Sequence, residues 1–378
     1  ARAIIEAAEV IIGGDRHHNL TPSTKAERIA WPSPFDALID QLLALKSRRV
    51  VILATGDPLW FSIGARIGRA IPPAEIVYHP QVSAFQLAAA RMGWSMADLE
   101  TLTVHGRPVA QMIAFIQPDA RLLILTTGAE TPGQIAEFLT ARGYGASRMT
   151  VLAAMGGKDE LRFEGQAASW NHTVPAFNTL AVECIAAPDA ALMPRIPGLA
   201  DDMFRHDGTM TKREVRAVTL AKLMPMRGAL LWDIGCGCGS VAIEWMRSAR
   251  YARAIGVEPR ADRRAIAAEN AQALGAPGLQ LVEGEVPAAV KRLPAPDAVF
   301  IGGGLSEETF SAAWAALRPL GRLVVNVVTL ESEILLLDLF KRHGGELVRI
   351  SVERAAPVGP RTGMKPLMPV TQWSLVKR

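Results

Sequence analysis

No stretch of this sequence reaches the roughly 18 consecutive apolar residues that a membrane-spanning helix requires, so no membrane partner is expected. Cysteine is scarce, with three residues in 378. That excludes a disulfide framework and points to a reducing, cytoplasmic setting. The opening residues carry Arg2, Glu6 and Glu9 inside their apolar pattern and show no small-residue cleavage site, unlike a secretory leader. No run of five basic residues occurs, and acids interleave with the bases to leave a net charge of only +4. A nucleic-acid partner is therefore not expected, although a pI of 9.1 biases the chain toward anionic ligands. What the chain has in quantity is aliphatic: 49% hydrophobic residues against 21% charged and 6% aromatic. Such a composition suits a globular α/β core and argues against disorder.

At 378 residues, two domains are expected. Short apolar runs alternate with helical periodicity throughout, the pattern of parallel sheets covered by helices. Residues 50–54, 122–126, 149–153 and 179–185 read as strands of a first domain. Residues 229–234, 254–258, 279–283, 298–302 and 321–328 read as strands of a second. Between the two sets, Pro188, Pro194 and Pro197 interrupt all periodicity. The expected division is a domain at 1–187, a linker at 188–203 and a domain at 204–378.

The sharpest local signal lies in the second half. Leu230, Leu231 and Trp232 run into Asp233, Gly235, Cys236, Gly237, Cys238 and Gly239, after which helical spacing begins at Ser240. Strand, glycine turn and helix in this order bring free backbone amides up to a ligand with no Cβ in the way. Glu258 ends the next strand, where a carboxylate can accept hydrogen bonds from ribose hydroxyls. Gly237, Gly239 and Ala242 also satisfy the G-x-G-x-x-A pattern, which keeps an NAD(P)-dependent oxidoreductase open as an alternative. A D-x-G-x-G-x-G run starting at Asp233, with further acids at Glu283 and Glu285, favours an adenosyl ligand without a pyrophosphate. Cys236 and Cys238 are one residue apart and have no second ligand pair, so they read as small loop residues and no metal is expected. Upstream, Thr211 and Glu214 have the spacing of a capping box, and Lys212, Arg213 and Arg216 make that helix start basic.

The segments HDGTMTKREVRA, LLWDIGCGCGSVAIEWMR, GVEPRADR, DAVFIGGG, VTLESE and MPVTQWSLVKR together resemble the decarboxylating precorrin-6Y C5,15-methyltransferases of cobalamin biosynthesis. In the first half, Ala54, Thr55, Gly56, Asp57, Pro58 and Leu59 look like the G-D-P loop of tetrapyrrole methylases; residues 82–86, 105–107 and 156–160 are similar to further segments of that group. The resemblance implies an α/β chain with an N-terminal tetrapyrrole-methylase fold and a C-terminal Rossmann-like class I methyltransferase fold. Each module would bind S-adenosylmethionine and release S-adenosylhomocysteine. The first would methylate C5 of precorrin-6B; the second would decarboxylate the ring C acetate and methylate C15, giving precorrin-8. By the same resemblance the protein is a homo-oligomer.

Cofactor contacts implied by similarity fall on Thr211, Asp233, Gly235, Cys236, Gly237, Cys238, Gly239, Glu258, Glu285 and Val286 in the second module, and on Gly56, Asp57, Pro58 and Ser83 in the first. The family opens with a strand and a glycine-rich turn ahead of its first helix, whereas this chain begins at Ala1 with that helix under way; an incomplete first site is the expectation. Because the substrate is a polycarboxylate, Arg213, Arg216, Arg361 and Lys365 are candidate anchors, and Gly302, Gly303 and Gly304 a gap for the flat ring. A nucleic-acid methyltransferase is a further alternative. Base-modifying members commonly carry an N-P-P-Y-like segment where this chain has the three glycines.

Overall fold

The computed structural model describes residues 2–378 and divides into two compact units. Ala1–His105 and Asp119–Ala187 form the first, Gly106–Pro118 and Pro188–Arg378 the second. Ala1 lies outside the described residues.

In the first unit, β1 (Val10–Gly13), β2 (Glu27–Ala30) and β3 (Val50–Ile52) make a parallel sheet in the order β2-β1-β3. The helical reading of the opening residues holds only for Arg2–Glu6. Val10, Ile11 and Ile12 leave the helical pattern because they form the central strand, fully shielded by a neighbour on each edge. A second sheet contains β4 (Glu100–Thr103), β5 (Arg121–Leu125), β6 (Arg148–Ala153), β7 (Leu161–Gln166) and β8 (Asn178–Glu183), in the order β4-β5-β8-β6-β7. Here the expectation of a parallel sheet is corrected. Only β4 and β5 run parallel; β8 inserts antiparallel between β5 and β6, and β7 returns antiparallel to β6. The seven residues 154–160 between β6 and β7 are too few for a crossover, which needs about a dozen. Helix Ala84–Met92 covers this sheet, burying Phe85, Ala88 and Ala89 against Leu123, Leu152 and Ala181.

The second unit is built on β9 (Leu230–Ile234), β10 (Arg253–Val257), β11 (Gln280–Val282), β12 (Ala298–Ile301), β13 (Arg322–Val327), β14 (Glu346–Ile350) and β17 (Val370–Val376). Their order is β11-β10-β9-β12-β13-β17-β14, parallel through β13, with β17 antiparallel to both its neighbours. Alternate residues of β9 face opposite layers. Leu230, Trp232 and Ile234 join a core with Phe310, Leu336 and Trp373, and Leu231 joins Leu220, Val241 and Trp245. That two-sided burial explains why the strand reads as an unbroken apolar run ended by Asp233. A separate hairpin, β15 (Glu353–Val358) with β16 (Arg361–Pro366), stands outside the large sheet.

Residues 188–203, expected as a linker, are built into the second unit. Glu244 accepts hydrogen bonds from Gly198 N at 2.7 Å and Leu199 N at 2.9 Å, and Arg247 Nη2 donates to Met193 O at 2.7 Å. The prolines leave this segment only a single helical turn, Asp201–Met203, and buried side chains satisfy much of the remaining backbone instead. Gly106–Pro118 also belongs to this unit, with Met112, Ile113 and Ala114 buried. Among the described residues, no helix is long and apolar enough to cross a membrane.

Candidate functional site

Strand order reverses between β9 and β12, and ligands of open α/β sheets bind beyond the carboxyl ends of strands at such a point. The chain leaves β9 through a closed bend. Gly235 N and Cys236 N both donate to Val257 O, at 3.0 and 3.2 Å, and Gly239 N donates to Cys236 O at 2.9 Å. Helix Ser240–Ser248 starts directly behind it. Gly235 has φ +70°, and a Cβ there would stand 2.8 Å from Gly303 N and 2.9 Å from Gly303 O. The first glycine of the bend and the middle glycine after β12 thus meet backbone to backbone.

Two carboxylates underlie the bend, both nearly shielded from solvent. Glu258 Oε2 accepts from Gly237 N at 2.9 Å and its Oε1 from Arg260 N at 3.1 Å. Asp233 Oδ2 accepts from Ala242 N at 3.0 Å. Burial pushes the Asp233 carboxyl up to about 7; the Ala242 amide pulls the other way, and the nearby Glu258 charge adds to the rise. In the sequence Ala242 stands out only through the nicotinamide pattern, and its amide contact has no signal of its own. No basic side chain forms an ion pair with either carboxylate among the described residues. These carboxylate acceptors fit the ribose hydroxyls and cationic end of an adenosyl sulfonium, and the Glu258 charge disfavours a pyrophosphate.

The raised Asp233 carboxyl has a consequence for stability. Between its ordinary value of 3.8 and about 7, the folded chain keeps a proton that the unfolded chain has released. The stabilisation is therefore complete below about 3.8 and is lost as pH rises toward 7. Asp233→Asn keeps an oxygen for Ala242 N and removes the charge. Melting curves of the unliganded chain from pH 4.5 to 8 should show a flatter pH dependence for Asp233→Asn than for the parent; superimposable profiles would contradict the burial argument.

Cys236 and Cys238 are buried, and their thiols are pushed up chiefly by burial. Cys236 Sγ fills the space beside Gly256, within 2.5 Å of where a Cβ on that glycine would stand. No cluster of three or more His, Cys, Asp or Glu among the described residues could hold a metal ion. Past β11, Glu285 is exposed and Val286 half-buried, while Glu283 pairs with Arg264 at 2.8 Å.

The capping box at Thr211 and Glu214 is corrected. Lys212 is the N-cap of helix Arg213–Leu223, with no side-chain bond. Thr211 O accepts instead from Arg216 Nη1 at 2.6 Å, and Glu214 pairs with Arg354 at 2.5 Å. Arg216 is likewise corrected as a substrate anchor. It is fully buried, with Nε on Glu244 at 2.8 Å, Nη1 on Asp201 at 3.1 Å and Nη2 on Leu199 O. Arg213 is exposed at the helix start. The cross-strand pairs Arg354 with Lys365 and Val358 with Arg361 put Lys365 and Arg361 on the hairpin face of Arg354. Arg354 itself reaches Asp201 at 2.8 Å, drawing that face toward the helix carrying Arg213.

In the first unit, Gly56 and Ser83 are brought together. Gly56 has φ +65°, and a Cβ there would lie 2.9 Å from Ser83 Cα. Asp57 Oδ1 accepts from Leu59 N at 2.7 Å, which folds the turn around Pro58. Ser83 caps helix Ala84–Met92 in a reciprocal pair with Gln86.

Sheet order, glycine bend and paired acids define the second unit as a Rossmann-like methyltransferase of the S-adenosylmethionine-dependent class. Residues 202–377 match the family described as precorrin methyltransferase domain, and residues 1–170 the family described as tetrapyrrole (corrin/porphyrin) methylases. A precorrin-6Y C(5,15)-methyltransferase (decarboxylating) of Sinorhizobium sp is 45% identical over 380 residues, spanning 100% of this chain and 92% of that protein. A "Probable cobalt-precorrin-6B C(15)-methyltransferase (decarboxylating)" of Pyrobaculum calidifontis is 36% identical over 181 residues, 46% of this chain and 93% of its own length. The crystal structure of the C-terminal domain of precorrin-6Y C5,15-methyltransferase from Rhodobacter capsulatus superposes with a TM-score of 0.46 at 47% identity, covering 48% of this chain and 99% of that one. The chain belongs to the decarboxylating precorrin-6Y C5,15-methyltransferases, enzymes that depend on S-adenosylmethionine. Neither the oxidoreductase nor the nucleic-acid alternative is favoured.

Proposed function

We propose that this enzyme converts precorrin-6B to precorrin-8 by methylating C5 and C15 and releasing the ring C acetate carboxylate as carbon dioxide. The observation that carries this reading is the 45% identity with a C5,15 enzyme, which extends through both units. The second unit takes decarboxylation and C15. A C15 relative whose length matches less than half of this chain supports that division. The first unit takes C5, with a donor site of its own at Gly56, Asp57, Pro58 and Ser83; the tetrapyrrole-methylase match over residues 1–170 supports it. In the second unit the donor contacts are Thr211, the 233–239 bend, Glu258, Glu285 and Val286.

When bound, S-adenosylmethionine supplies a methyl carbon already activated by its sulfonium. The protein contributes alignment, which can be worth ~7–11 kcal/mol of barrier. The 233–239 bend and Glu258 hold the adenosyl portion in one pose. Arg213, Arg361 and Lys365 bind peripheral carboxylates of the macrocycle, while the departing carboxylate lies in a drier position where loss of charge is favoured. The enzyme works in the cytoplasm as a homo-oligomer; exposed Met364 and Met368 offer apolar surface for assembly away from the anchor face of the hairpin.

Incubating the purified chain with precorrin-6B and methyl-labelled donor, followed by mass spectrometry, should show two added methyl groups and one lost carbon dioxide. A tetrapyrrole of unchanged mass would overturn the assignment.

A further inference from the structure

The carboxyl ends of β1, β2 and β3 carry a cluster to which the proposed function gives no task. His17, half-buried in the helix Asp15–Leu20 that follows β1, places Nε2 2.9 Å from Thr55 Oγ1. Thr55 immediately precedes Gly56, so the imidazole is tied to the turn assigned to the donor. Arg16 Nη2 reaches the same hydroxyl at 3.2 Å, and its guanidinium stands 3.7 Å from the centre of the Phe177 ring. Phe177 remains 49% exposed, which leaves an aromatic surface and a cation side by side at this edge. A flat conjugated polycarboxylate matches both features. His17 Nδ1 is buried with no hydrogen-bond partner among the described residues.

Methylation of a ring carbon that bears hydrogen does not end with the new carbon–carbon bond. The π pair at C5 bonds to the methyl carbon as the carbon–sulfur pair leaves with sulfur. The C5–H bond then breaks, its electron pair restores the conjugation, and a proton is released that needs a nearby acceptor. Burial, the Arg16 charge and the neighbouring His18 hold the His17 pKa below its ordinary value, which keeps the imidazole neutral near pH 7. Asp57, the carboxylate of the same turn, is engaged by Leu59 N.

We propose that His17 Nε2 accepts the proton released on methylation at C5 through the Thr55 hydroxyl 2.9 Å away, which passes its own proton to the imidazole as it takes up the one from C5. The proposal rests on the assignment of C5 methylation to the first unit. The test uses the full chain as His17→Ala, with precorrin-6B and labelled donor, following both methyl additions and carbon dioxide release in one sample. Decarboxylation and the C15 methyl should proceed at the parent rate. The C5 methyl should slow by about 100-fold or more, the usual worth of a general base, with the donor KM unchanged and partial recovery on adding imidazole. His17→Gln, which keeps a hydrogen bond to Thr55, should show the same loss. Both methyls arriving at the parent rate would overturn the proposal; so would a slow C5 methyl with a raised donor KM and no imidazole recovery, the mark of a merely structural role. The parent chain in the same assay reports separately on the substrate assignment, because both methyls must appear there.

Discussion

Gly235→Ala is expected to remove donor binding from the second unit, weakening S-adenosylhomocysteine by about 100-fold or more, since each tenfold corresponds to ~1.4 kcal/mol. Two effects combine. A side chain at φ +70° costs ~1–2 kcal/mol against the handedness of L-residues. The new Cβ also meets Gly303 N, O and Cα at 2.8, 2.9 and 3.0 Å. All three are backbone atoms, so no rotamer change relieves the contact and the bend must open, breaking the paired bonds to Val257 O. Gly237→Ala is the internal control. Its φ is +56°, but the nearest atom to its Cβ is 4.0 Å away, so only the conformational cost applies and the loss should be smaller. Titration calorimetry of both variants with S-adenosylhomocysteine decides the matter; equal affinities for Gly235→Ala and the parent would refute the backbone-contact argument.

Arg216→Met should destabilise the second unit by ~3–5 kcal/mol, the usual result of stripping one partner from a buried ion pair. Glu244 would keep its charge with a side chain only 2% exposed, and Asp201 would lose its 3.1 Å partner. For a unit of this size, ~2–4 °C per kcal/mol translates this into a melting point roughly 6–20 °C lower. The double variant Arg216→Met, Glu244→Gln removes the stranded charge and should recover part of the loss, because Gln can still accept from one of the Gly198 and Leu199 amides. Thermal melts of the parent, single and double variants make the comparison. A single variant melting within about 2 °C of the parent would contradict the role given to Arg216.

The bend after β9 is legible in the amino-acid sequence because everything that shapes it is local. Asp233, Gly235, Gly237 and Gly239 are contiguous in the chain, and Glu258 lies one strand and helix further on, so composition and spacing alone imply the turn and its acids. The closing strands are not legible in this way. β17 depends on lateral pairing with β13 and β14, and β14 on pairing with β17, so their antiparallel register is set by partners rather than by a repeating pattern. The same holds for Val10, Ile11 and Ile12, whose strand form comes from lying between β2 and β3.

The basic residues near the start of helix Arg213–Leu223 show where the boundary falls. By itself the sequence determined that this helix begins with positive charge and that a glycine-lined, acid-bearing turn follows the first strand of its sheet, because both are properties of neighbouring residues. Only the tertiary structure decided that Arg213 faces solvent while Arg216 is sealed against Glu244, twenty-eight residues on, and Asp201, fifteen residues back. Burial and pairing arise between residues distant in the chain, and no local spacing encodes which of two nearby arginines will be enclosed.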